Sequence, residues 1–108
     1  MPGVVRLTDS EVGQCSQPCI QPAPTVGRGG VESLSYSPDT FTNSLNTVRK
    51  GDLGETKCVC AAKYTNTSGS GDVFVNGKPI VRLGDETTCN TCGIKGVTSS
   101  ASGDVIAD

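Results

Sequence analysis

Residues Asp39 to Asp52, DTFTNSLNTVRKGD, return 33 positions later as Asp72 to Asp85, DVFVNGKPIVRLGD, aligned without a gap and sharing Asp, Phe, Asn, Val, Arg, Gly and Asp. A repeat constrains the fold more than any local propensity, because each copy must take the same local structure and pack in an equivalent place. A serine precedes both copies, as Ser37 and Ser70, and a pair of cysteines follows each within a few residues. A third copy is split between the chain's ends. Val5-Arg6-Leu7 with Asp9 repeats the second half, and Ser102-Gly103-Asp104-Val105 repeats the first half. The expectation is a closed arrangement of three units related by a pseudo-threefold axis, cut inside one hairpin, so that the first and last strands close the third unit. The competing account is a chance recurrence of Gly/Asp-rich turns. Against it, cysteine-bearing loops follow all three Val-Arg segments in the same order.

Each unit reads locally as a short β-hairpin. Val73-Phe74-Val75 and Ile80-Val81-Arg82-Leu83 are rich in strand formers, and Asn76-Gly77 between them suits a tight turn with positive φ at both positions. Pro79 has no N–H to donate, so it must face outward or fall at a ladder end. In the sister unit Ser44-Leu45-Asn46 stands where the turn is expected, which predicts a wider loop there. With 14 glycines, no tryptophan and 4% aromatic residues, the chain predicts an all-β fold of short strands without long helices. Its 108 residues leave room for one domain of modest core, spanning 1–108.

Nine basic and eleven acidic side chains are scattered without a run of either sign. Neither a nucleic-acid stripe nor an anionic-membrane patch is visible. The start, MPGVVRLTDSEVG, has neither the basic opening nor the apolar run of an export signal. The expectation is folding in the cytoplasm, with any export dependent on another carrier.

Six cysteines fall as CSQPC (Cys15, Cys19), CVC (Cys58, Cys60) and CNTC (Cys89, Cys92), each pair shortly after one Val-Arg and Asp repeat. Thiolates converging from three loops would make a soft tetrahedral site for one structural metal ion, with zinc favoured over iron. Which four of the six would ligate is open. The alternative is a disulfide framework, the usual signature of an even cysteine count in a small chain. Bonds within CVC or CNTC would be strained or would close very small loops, but disulfides between pairs stay open. A redox-catalytic CxxC is disfavoured because no helix follows Cys92. Histidine is absent, which excludes Ser/His and Cys/His nucleophile arrangements. Asp9, Asp52 and Asp85 recur in every unit, as do Arg6, Arg49 and Arg82. Repetition points to structural roles: turn formation for the carboxylates, and symmetric pairs or partner contacts for the arginines. No catalytic residue is assigned and the chain is read as a non-enzyme.

The phrase SGDVFVNGKPIVRLGDETTC, its echo at Asp39 to Asp52, the Val5-Arg6 start and the SGDV ending together resemble the repeat of the PAAR family, the spike-tip proteins of contractile injection systems such as type VI secretion machines and phage tails. The resemblance covers nearly the whole chain except the Pro/Gly-rich connection from Gln21 to Ser33. It implies a small cone of β-hairpins with one metal ion near the apex, held by the cysteine loops. One such tip would cap a trimeric β-helical spike and help pierce the target envelope, touching the target membrane transiently and sitting at a virion tail tip or secretion-apparatus tip. The tip would be monomeric by itself, with no nucleic-acid partner. The family usually binds its ion mainly through histidines with a cysteine, whereas every candidate here is cysteine. The rival readings are a free-standing cysteine-rich metal-binding module and a disulfide-stapled secreted effector.

Overall fold

The computed structural model describes residues 2–16, 25–27, 31–32, 35–55, 63–90 and 93–107. Among them the chain forms short β-strands and no helix: β1 (Ser10–Ser16), β2 (Thr25–Gly27), β3 (Val31–Glu32), β4 (Phe41–Thr42), β5 (Leu45–Asn46), β6 (Leu53–Glu55), β7 (Lys63–Asn66), β8 (Phe74–Val75), β9 (Lys78–Pro79), β10 (Glu86–Cys89) and β11 (Lys95–Thr98). One antiparallel sheet runs β2-β1-β11-β10-β7-β6, with β3 also paired to β1. The sheet curls until β3 lies beside β6, and the Ser35 N–H donates to the Leu53 carbonyl at 2.9 Å. The body is elongated, 43 Å long and 23 Å across in both other directions.

At its centre the three Val-Arg segments pair with one another rather than with their own hairpins. The Val5 N–H donates to the Val81 carbonyl at 2.9 Å, Val81 to Val48 at 3.1 Å, and Val48 to Val5 at 3.0 Å, which closes a ring. A second ring runs in the opposite sense: Leu7 donates to Asn46, Lys50 to Pro79 and Leu83 to Gly3, at 2.7, 2.7 and 2.8 Å. Bridges Arg6↔Thr47, Arg49↔Ile80 and Val4↔Arg82 complete the set. Val5, Val48 and Val81 are 1%, 0% and 0% exposed and touch one another on the axis. Each contributes about 1.5–3 kcal/mol on burial. A second apolar layer joins Val4, Ile80 and Ala107, with Val75 against it.

Each unit opens on a serine that caps its own turn. Ser37 Oγ accepts from the Asp39 and Thr40 N–H groups, Ser70 Oγ from Asp72 and Val73, and Ser102 Oγ from Asp104 and Val105. Two hairpins follow, β4–β5 and β8–β9, each joined by two residues of positive φ: Asn43 and Ser44 at 51° and 67°, Asn76 and Gly77 at 54° and 75°. The wider loop expected at Ser44-Leu45-Asn46 is therefore a tight turn at Asn43-Ser44, in register with Asn76-Gly77. Asparagine tolerates the left-handed region well enough for the sister turn to be copied without glycine. The return strand of β8 begins earlier than Ile80, at Lys78–Pro79, and Ile80 continues it by donating to the Val73 carbonyl at 3.0 Å; from Val81 to Leu83 the expected strand leaves its own hairpin for the ring. The third hairpin is made by the chain's two ends, as the repeat predicts. Gly3 bridges Ile106, Val4 donates to the Val105 carbonyl at 2.9 Å, and Ala107 donates to the Pro2 carbonyl at 3.0 Å.

Candidate functional site

In each unit the segment after the ring turns through Arg-x-x-Asp. The Asp9, Asp52 and Asp85 N–H groups donate back to the Arg6, Arg49 and Arg82 carbonyls at 2.9, 3.0 and 3.0 Å. Each carboxylate then receives the backbone N–H of its arginine, at 2.9, 2.7 and 2.7 Å, and both Nε and Nη2 of the same side chain. The repeated arginines and aspartates thus satisfy each other in two-pronged pairs. The hydrogen bond to the aspartate raises the Arg6 and Arg49 pKa values above the usual arginine value despite partial burial.

The hairpin tips lock neighbouring units together. Asn43 Oδ1 accepts from Arg6 Nη1 and from Ser102 Oγ, both in the unit made by the chain's ends. One unit along, Asn76 Oδ1 accepts from Arg49 Nη1 at 3.2 Å and Ser37 Oγ at 2.6 Å. The Asn76 amide and the Ser37 hydroxyl also donate to Asp39 and hold its carboxyl below the usual aspartate range. Ser37, Ser70 and Ser102 stand out in the sequence comparison. The serines two places earlier also act, with Ser35 and Ser100 donating to Asp52 and Asp9 and Ser68 accepting from Glu86 N–H. The signal for them is the Ser-x-Ser spacing at 35/37, 68/70 and 100/102.

Outward from these hairpins stand Phe41, Phe74 and Ile106, 57%, 55% and 49% exposed. They occupy corresponding positions, since Phe41 pairs with Asn46, Phe74 with Pro79 and Ile106 with Gly3. Val73 and Val105, also exposed, precede two of them. Exposing the largest apolar side chains at one position in every unit is costly in water and makes a threefold apolar surface. The shared Phe of the repeat is visible in the sequence, but its exposure and its match to Ile106 are not.

Strands β1, β6 and β10 leave the turns after Asp9, Asp52 and Asp85 and run parallel to one another, since β11 and β7 are antiparallel to their neighbours. Within the described residues these three strands leave the ring in one direction. Cys15 lies in β1, its backbone paired with Val26, about 20 Å beyond Asp9 along an extended strand. Cys89 ends β10, buried, opposite Tyr64, in a turn where the Gly93 N–H donates to its carbonyl at 2.8 Å. The other four candidates, Cys19, Cys58, Cys60 and Cys92, lie outside the described residues. Among the described residues no three of His, Cys, Asp or Glu gather into a metal site. Soft sulfur donors of this kind suit zinc or iron.

No curated protein matches the chain significantly. The PAAR motif matches residues 20–95, well over half of it. The chain belongs to the PAAR motif family. The PAAR match spans the second and third units and their cysteine segments, while the structure adds the first unit from residues 2–9 and 102–107. The PAAR chain is a structural, non-catalytic module with a tip-like form, narrow and built about one axis.

Proposed function

We propose that this PAAR chain is the tip of a contractile injection machine, capping the end of a trimeric β-helical spike and concentrating force on the target envelope. The observation that carries the reading is the ring of Phe41, Phe74 and Ile106, three exposed apolar side chains at equivalent positions about a closed pseudo-threefold axis. A monomer with threefold chemistry on one surface suits a partner that presents three identical chains. Short hairpins also leave strand edges that such a partner would cover. The tip is monomeric until it seats, reaches the virion tail or secretion apparatus on its spike, and touches the target membrane in transit. The test is native mass spectrometry of the chain mixed with a trimeric β-helical spike. One tip per three spike chains is expected, with loss of binding when Phe41 and Phe74 are both changed to Glu. A three-to-three complex, or unchanged binding by the variant, refutes the docking ring.

At the other end the cysteine segments hold one structural metal ion, zinc before iron, which pins loops that a small core cannot hold alone. Anaerobically purified protein is expected to carry close to one ion per chain and to lose it on Cys92→Ser. Metal-free protein whose thiols all titrate would refute the metal and leave the docking ring standing.

A further inference from the structure

Beyond the valine ring the interior of the curled sheet is polar. The residue two places after each of Asp9, Asp52 and Asp85 is Glu11, Gly54 or Thr87. Glu11 and Thr87 are fully buried, and the Thr87 hydroxyl donates to the Glu11 carboxylate at 2.7 Å. Gly54 brings no side chain, and the buried Tyr64 ring and hydroxyl fill the space its Cβ would take. A carboxylate, a phenol and a hydroxyl thus reach the interior at corresponding positions of the three units. Asn66 joins them, fully buried and directly opposite Thr87 in the β7–β10 register. Its Nδ2 donates to the Asp52 carbonyl at 2.9 Å. Its Oδ1 is buried with no hydrogen-bond partner among the described residues.

We propose that this polar layer binds one internal water molecule, which donates to Asn66 Oδ1 and bridges it to the neighbouring oxygens. A buried acceptor without a donor is disfavoured, and the donor must be small because every side chain of the layer is buried. Proteins hold roughly one buried water per 27 residues, each with about three polar partners, and this layer offers four polar side chains.

A clean variant is present within the repeat. Thr98 stands where Asn66 does, and its hydroxyl donates to the Arg82 carbonyl at 2.7 Å and lies 3.4 Å from the Asp85 carbonyl, the counterpart of the Asp52 carbonyl that takes Asn66 Nδ2. Asn66→Thr therefore keeps a side-chain donor to the carbonyls of this turn and removes Oδ1. Oxygen-17 relaxation dispersion on both proteins is expected to count one fewer long-lived water in the variant, with melting temperatures within a few degrees. Equal counts overturn the proposal, as does a variant that melts many degrees higher with equal counts, since Oδ1 would then be an unsolvated orphan. A wild-type melt raised by sodium or potassium chloride but not by choline chloride, with the effect lost in Asn66→Thr, would make the occupant a cation and also overturn it.

Discussion

At the scale of single residues the three units are near copies, and the departures from the copy are where substitutions are informative. The turn before each aspartate needs positive φ at its third residue. Gly51 and Gly84 supply it at 93° and 87°, but in the first unit the position is Thr8, at 81°. A β-branched residue there is strained by about 1–3 kcal/mol, while glycine adds only about 0.5–1 kcal/mol of unfolded-state entropy. Thr8→Gly is thus expected to raise stability by about 1 kcal/mol in urea denaturation, and a loss would show that Thr8 makes a contact worth more than its strain. A second departure lies in the layer where Val4 and Ile80 meet Ala107 and Val75. The second unit places Thr42 and Thr47 there, buried, with their hydroxyls 2.8 Å apart. Thr47→Val alone strands the Thr42 hydroxyl and is expected to cost about 1–3 kcal/mol, whereas changing both to valine is expected to fall within about 1 kcal/mol of wild type. Additive losses in that double-mutant cycle would count against the pairing.

At the scale of elements, the hairpins were legible wherever the repeat could be read as a whole and misread where one stretch was taken alone. Asn76-Gly77 announces its turn by composition. Asn43-Ser44 does not, because serine is an unusual occupant of a positive-φ site, and only its register with the sister copy reveals it. The ring of Val-Arg segments was hidden for a different reason: strand propensity gives the run but not its partner, and here the partners lie in other units. The cysteine segments were legible as a set, yet the common direction of β1, β6 and β10 that precede them is encoded by no spacing. The terminal hairpin is the element most open to test. Removing everything after Ser100 deletes three backbone bonds, Val4 to Val105, Ser102 to Val4 and Ala107 to Pro2, together with the buried Ala107. At about 1 kcal/mol per bond plus the lost burial, the truncated chain is expected to lose at least about 3 kcal/mol and to melt well below the full one. An unchanged melting temperature would remove the third unit.

At the scale of the whole molecule, the pseudo-symmetry makes the choice of cut arbitrary. Ala107 and Pro2 pair as Val75 and Lys78 do on either side of Asn76-Gly77, so Asp108 and Met1 are the two residues that stand in sequence register with that turn. A permutant that joins Asp108 directly to Met1 and opens between Asn76 and Gly77 is expected to fold to the same structure, with a cooperative melt within several degrees of the parent. A chain that stays unfolded would show that the units are not interchangeable. The closed valine ring bears also on the order of events during synthesis. At Val5, Val48 and Val81 each strand is paired by strands from other units, so no single unit forms a finished folding nucleus and the ring joins distant stretches of chain. On the ribosome, residues 2–7 must wait for residues 102–107 before their hairpin exists. Completion of the fold therefore waits on the last unit, which makes folding slow for a chain of this size and cooperative.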